Sequence, residues 1–321
     1  MKSFGAKLLT IFLILGLTPA NAATKVITKP ITVTQLVPTL STNFASGDDL
    51  SQLLPAQTAI YLTGTIESNT VSVVSSALLG GTDGYLVSLD ATGKHLWDLR
   101  LGTTNDDLAT TMTTDSYGNI WVAGASTIPT PPSTPSSTPA ATLNPAQVNA
   151  QPVTQPPVGF QRILVWEITS AGVLLNTYST DFVDVAVPSV ITLKNKVFTI
   201  SGFSTNTKLN KFSLTMSATG KFGVPSFTTQ RISLPSPVVM VKSPKYTWQS
   251  FLTTGGIQGV SGFKPKIPTS VLIKSSLKSG AIASVYSFAG TLISMNYLAG
   301  TGIVLATTYG QSEYITIIHT S

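Results

Sequence analysis

Cysteine is absent from this chain, histidine occurs only at 95 and 319, and charged side chains make up 10% of its 321 residues. With no thiol there is no disulfide, no thiolate metal site and no lipidated cysteine, so packing alone must hold the fold. About 300 residues can bury enough surface to do so as one β domain. Scarce histidines and carboxylates leave little material for a metal centre or an acid–base pair, and no cofactor or metal is expected. The Gly-x-Ser-x-Gly, His-Glu-x-x-His and phosphate-loop patterns are missing as well. Long apolar runs are equally scarce. The run from Leu8 to Leu17 has ten residues, about half of what a membrane-spanning helix requires.

That run has a different meaning in its setting. Lys2 and Lys7 precede it and Ala20-Asn21-Ala22 follows it, which is the layout of a secretory signal peptide. The expectation is cleavage after Ala22, leaving residues 23–321 as an exported domain with no transmembrane segment. Its setting would be extracellular, at the cell surface or in the periplasm.

What is abundant is Thr, Ser, Val, Leu and Gly, a mix suited to pleated sheets and tight turns. Short alternating runs such as Tyr85 to Leu89 and Ile120 to Ala123 read as strands. A unit recurs around turn glycines at 93, 172, 220 and 280, with spacings of 79, 48 and 60. The first interval holds a stretch of low complexity, 127–158, with nine of the twenty prolines and no charge. Such a segment cannot form a core and is expected to be extended, within a domain that continues on either side. Removing it, and trimming the loop Gly255 to Pro268, brings every interval near one period. Periods of this size with several short strands each indicate a β-propeller.

The fold class expected is therefore all-β, a propeller of about five blades of four antiparallel strands. Asp48-Asp49-Leu50 before Ile60 to Gly64 parallels Asp106-Asp107-Leu108 before Ile120 to Gly124. The first of these copies lacks an opening strand, and Glu313 to His319 reads as an opening strand with nothing after it. The two fragments are expected to form one blade, closing the ring with the C-terminal strand on the N-terminal blade, which removes exposed sheet edges.

The fullest copy runs from Gly80 to Thr127. Its Gly80, Gly81, Asp83, Tyr85, Gly93, Trp97, Leu101, Gly102, Asp107, Ala109, Asp115, Gly118, Asn119 and Gly124 resemble the bacterial β-propeller repeat called SBBP. The resemblance implies a propeller fold and a surface or secreted setting, and no particular reaction. Leu89 to Trp97 also looks like the repeat of quinoprotein propellers. It occurs once with its Trp, so it reads as a related turn rather than a sign of a quinone.

The acidic pairs recur at one repeat position, which favours a turn role over Ca²⁺ binding or acid–base work. Tyr61, Trp97, Trp121, Trp166 and Trp248 suit packing between blades, or a sugar platform where one faces the channel. Charge is sharply uneven. From 23 to 184 there are five basic and twelve acidic residues, and from 185 to 321 twelve basic and one acidic, Glu313. Lys242, Lys245, Lys264, Lys266, Lys274 and Lys278 form the candidate binding set, suited to an anionic polymer, a glycan or a surface protein. Export argues against nucleic acid as a partner. A non-enzymatic binding scaffold is the first expectation. The alternatives are a propeller hydrolase or lyase with Asp48, Asp83, Asp106 or Asp181 at the channel, and a structural envelope or matrix protein.

Overall fold

The computed structural model describes residues 31–43, 49–56, 58–67, 74–75, 77–128, 159–205, 210–229, 238–310 and 312–320. The expected signal peptide and residues 129–158 of the Pro-rich segment lie outside these. The described residues hold strands and turns but no helix. Two short strands lead, β1 (Val33–Gln35) and β2 (Leu40–Asn43). Sheet I follows as β3 (Asp49–Pro55), β4 (Ile60–Ile66), β5 (Asp83–Leu89) and β6 (His95–Leu101). Sheet II is β7 (Asp107–Thr114), β8 (Ile120–Thr127), β9 (Phe160–Ile168) and β10 (Leu174–Asp181). Sheet III is β11 (Ala186–Lys194), β12 (Val197–Ser204), β13 (Lys211–Ser217) and β14 (Ser226–Thr228). Sheet IV is β15 (Val238–Lys242), β16 (Tyr246–Thr253), β17 (Thr269–Ser276) and β18 (Ile282–Phe288), with β1 added in parallel to β18. Sheet V is β19 (Thr291–Leu298), β20 (Gly302–Tyr309) and β21 (Ser312–His319), completed by β2.

Leaving aside β1 and β2, each sheet is an antiparallel meander, and successive sheets follow along the chain in the manner of propeller blades. First strands pack on first strands: β3 on β7, β7 on β11, and β19 on both β3 and β15. The four repeat glycines all fall in the third-to-fourth-strand turn. Gly93, Gly172, Gly220 and Gly280 have φ of 88°, 83°, 80° and 68°, a region open to glycine at little cost. The turn chemistry is shared by different residues. Asp90 Oδ1 accepts from Lys94 N, Thr169 Oγ1 from Val173 N and Ser217 Oγ from Lys221 N.

Two sequence expectations are corrected. The copy 80–127 is not one sheet, since it joins the second half of sheet I to the first half of sheet II. The composite sheet is also assembled differently. Residues 49–101 build all of sheet I without help, and Ser312–His319 is the third strand of sheet V, with Leu40–Asn43 of β2 as its fourth. A cyclic repeat has the same spacing wherever it is cut, so periodicity alone cannot fix the strand at which a blade begins.

The core lies between sheets. Leu53, Ile60 and Val87 of sheet I pack with Val304 and Ile315 of sheet V. Tyr61 and Leu86 join Met112, Val122 and Trp166 between sheets I and II. Trp121, Val165, Phe198 and Phe212 fill the space between II and III, and Trp248, Leu272, Met295 and Leu305 that between IV and V. Each such side chain contributes about 1.5–3 kcal/mol by leaving water. Among the described residues no cluster joins III to IV. β4, β5 and β8 are buried on both faces, whereas β12 alternates, with Phe198 and Ile200 buried but Val197 and Phe203 exposed.

Candidate binding surface at one end of the sheets

The meander sorts connections by end. First-to-second and third-to-fourth turns share one end of every sheet, called here the turn end. Second-to-third connections and the passages to the next sheet share the other, the loop end. The β8–β9 connection that carries the Pro-rich segment belongs to the loop end, as do the long β4–β5 and β16–β17 connections.

Charge is sorted the same way. At the turn end stand Lys94 (β5–β6), Lys194 and Lys196 (β11–β12), Lys221 (β13–β14), Lys242 and Lys245 (β15–β16), and Lys274 and Lys278 (β17–β18). All but Lys274, which is half-buried, are exposed. The carboxylates near this end hold local structure. Asp90 accepts from Thr92 N at 2.8 Å and Oγ1 at 2.6 Å; the hydroxyl's bond foremost, and then that from Lys94 N, hold its carboxyl below the usual carboxylate pKa range. Asp115 accepts from Tyr117 N, Asn119 N and Trp121 Nε1. Glu167 accepts from Asn176 Nδ2 and Tyr178 OH. Among the described residues no lysine lies within 4.0 Å of a carboxylate. Among the described residues, the turn-end lysines therefore project charge that no carboxylate neutralises at contact distance.

Two of these positions are structurally unusual. Asn195 and Lys196 form a two-residue hairpin turn with φ of 52° and 63°. Asn tolerates this region, but Lys at the second position, where Gly is the usual choice, costs about 1 kcal/mol. Lys274 Nζ sits 4.0 Å from the centre of the Tyr246 ring and 5.2 Å from that of Trp248. Cation–π attraction fixes this side chain against the aromatic surface. Beside it a pocket of about 170 Å³ is lined by Ser243, Pro244, Lys245, Tyr246, Tyr297 and Thr320.

The loop end differs in kind. Asp49, Glu67, Asp83, Asp106, Asp107, Asp181, Asp184 and Glu313 are there, with Arg100, Arg162, Lys211, Lys264 and Lys266. Many of these groups are committed. Asp83 accepts from Leu79 N at 2.6 Å and Gly80 N at 3.2 Å, and faces Arg100 Nη1 at 3.8 Å. Asp107 accepts from Thr103 N at 2.6 Å and Thr103 Oγ1 at 2.8 Å. Burial pushes its carboxyl above the ordinary aspartate range, and the nearby charge of Asp83 adds to the rise. Glu313 Oε1 accepts from Leu50 N at 3.0 Å, tying sheet V to sheet I. Arg162 Nε bonds Asp181 Oδ1 at 2.6 Å, which holds Asp181 below the usual range.

Of the six lysines marked in the sequence, Lys242, Lys245, Lys274 and Lys278 thus share the turn end of sheet IV. Lys264 and Lys266 lie on the β16–β17 connection, which leaves from the loop end and is tied at Val260 to Ile31. Lys94, Lys194, Lys196 and Lys221 were passed over in the sequence because they are scattered along it. Their shared end appears only once each is assigned to a turn. Of the four acids named for catalysis, Asp48 lies outside the described residues, Asp83 is buried, Asp106 is exposed and Asp181 pairs with Arg162. Tyr61, Trp121, Trp166 and Trp248 are buried in the inter-sheet clusters, and Trp97 donates its Nε1 hydrogen to Ser170 O. Both histidines are exposed. His95 lies 3.9 Å from Asp98, and His319 pairs with Gly302 in sheet V. No group of three or more His, Asp or Glu that could hold a metal occurs among the described residues.

No family model and no curated protein matches the chain. Several solved structures share a distant likeness. The WD40 domain of Neurospora crassa Pan2 is 9% identical over 90% of this chain and 98% of that one, with a TM-score of 0.30. A Synechocystis apocarotenoid oxygenase is 11% identical over 86% of this chain and 66% of that one, with a TM-score of 0.35. A subtype N10 neuraminidase-like protein of A/little yellow-shouldered bat/Guatemala is 7% identical over 82% and 76%, with a TM-score of 0.31. Likeness this slight defines neither a family nor an activity.

Proposed function

We propose that this chain is a secreted or cell-surface β-propeller, its five sheets closed into a ring as blades, that acts without catalysis as a scaffold binding an anionic polymer at its turn end. The observation that carries this is the set of turn-end lysines without a carboxylate at contact distance. Seven of the eight belong to sheets III and IV. Uncompensated like charges repel one another and are held at a cost, which a polyanion relieves by replacing many small counterions at once. The hydrolase or lyase alternative draws less support, because the adjacent carboxylates of Asp83 and Asp107 are fully buried and engaged by backbone amides and Arg100.

The test uses the chain from Ala23 onward, titrated with polygalacturonate and with polyphosphate at salt concentrations from about 50 to 300 mM. At 150 mM, exposed charges are screened beyond about 8 Å. Binding at the low end that weakens steeply with salt is the expected result. Absence of binding to either polymer at low salt would overturn the proposal.

A further inference from the structure

The pocket at the junction of sheets IV and V gives the turn end a selectivity that charge alone lacks. Tyr246 starts β16, Tyr297 lies near the end of β19 and Thr320 follows β21, so the pocket is assembled by two neighbouring sheets. Both tyrosines are half-buried, their rings backed by the cluster of Trp248, Leu272 and Met295. Ser243 Oγ is already used, donating to Tyr246 O at 3.1 Å and accepting from Trp248 Nε1 at 3.1 Å, which fixes the β15–β16 turn. The Lys245 backbone is held too, its carbonyl accepting from Leu277 N at 3.0 Å, while its side chain stays exposed. Lys274 over the Tyr246 ring holds that ring in place. The result is a small recess with two aromatic rings, a hydroxyl and a free ammonium on firm backbone.

We infer that this pocket is a subsite for a single uronate residue of an acidic polysaccharide. A pyranose ring presents C–H faces that pack on aromatic rings, hydroxyls that pair with Tyr and Thr hydroxyls, and in a uronate a carboxylate that pairs with Lys245. Polyphosphate offers charge but no apolar face, so it has no use for the tyrosines. The inference rests on the polymer-binding reading above and narrows its ligand to acidic polysaccharide.

Three proteins are compared on polygalacturonate and on polyphosphate: the parent, Lys245→Gln and Tyr297→Ala. Binding of each polymer is measured by calorimetry, with thermal unfolding as the check on folding. Both variants are expected to weaken polygalacturonate binding about tenfold, as loss of a charged hydrogen bond or a packed ring does. Tyr297→Ala should change polyphosphate binding less than about twofold. In competition, a galacturonate trimer should displace the polymer at least tenfold better than a galactose trimer, a comparison that needs no variant and so stands if Tyr297→Ala unfolds. Equal competition by the two trimers, or equal loss of both polymers in Tyr297→Ala, would overturn the subsite while leaving the charged surface intact. Failure of the parent to bind either polymer would remove the polymer-binding proposal itself.

Discussion

Gly124 shows how a single residue sets the strand geometry of this fold. A Cβ at that position would overlap the Leu108 carbonyl oxygen and come within 2.9 Å of the Trp166 ring. The β7 bulge between Ala109 and Thr111 brings that carbonyl close, and Gly64 and Gly202 stand in the same relation to Asp49 and Val187 in sheets I and III. Gly124→Ala is therefore expected to cost about 3 kcal/mol, the upper range for overpacking, measured by urea unfolding. Gly118→Ala makes the contrast: its surroundings are open and only its φ of 84° opposes a side chain, so about 1 kcal/mol should be lost. Asp107 provides a second test at this scale. Burial raises its pKa in the folded state, so its stabilising contribution is fully present below the unfolded aspartate value and is lost as pH rises through the folded one. The stability of the parent relative to Asp107→Asn should thus fall as pH rises above about 4, the ordinary aspartate value. A difference that is flat, or that grows with pH, would contradict the burial argument. The glycine and aspartate positions were readable as repeat positions in the sequence. Which of them were buried was not, because burial depends on the neighbouring sheet.

At the scale of elements, the turns carried the readable signal. Gly93, Gly172, Gly220 and Gly280 mark equivalent turns in four sheets because only a left-handed residue closes them, and that requirement is local. Sheet V escapes the pattern, since its third and fourth strands, β21 and β2, pair from opposite ends of the sequence and are not joined by a turn. The 127–158 segment was equally plain from its prolines. β8 and β9 flank it as direct neighbours, with Thr127 opposite Phe160. Replacing 129–158 by about four Gly/Ser residues should therefore leave the fold unchanged and raise stability by up to about 2 kcal/mol, since a shorter loop loses less entropy on closure. A lower unfolding midpoint would show that the segment contributes contacts of its own. The III–IV boundary was not foreseeable from periodicity. With no cluster joining those sheets among the described residues, amide exchange should be faster in β14 and β15 than in β8 and β9, which lie between filled layers.

For the whole molecule, the unevenness of charge along the sequence becomes an unevenness between two ends of the sheets. The sequence showed that the C-terminal part is basic, but not that lysines of sheets III and IV share an end, because that depends on which turn each one occupies. The acids of the loop end include structural groups: Glu313 joins two sheets, and Asp83 and Asp107 are buried. The lysines of the turn end, Lys274 over its aromatic rings apart, have no such internal use. The most direct test reverses charge at the two ends separately, Lys194, Lys221, Lys242 and Lys278 to Glu in one protein, and Lys211, Lys264 and Lys266 to Glu in another. Lys211 is half-buried and the others are exposed; substitutions at such surface positions should alter stability by about 0.5 kcal/mol or less each, so both proteins should fold. The account predicts that the turn-end variant loses binding to polygalacturonate at 50 mM salt by at least about a hundredfold, while the loop-end variant stays within about fivefold of the parent, as expected when phosphate- or carboxylate-neutralising contacts are removed from one surface only. Equal losses in the two variants would mean that net charge, and not this surface, governs binding, and would contradict the account.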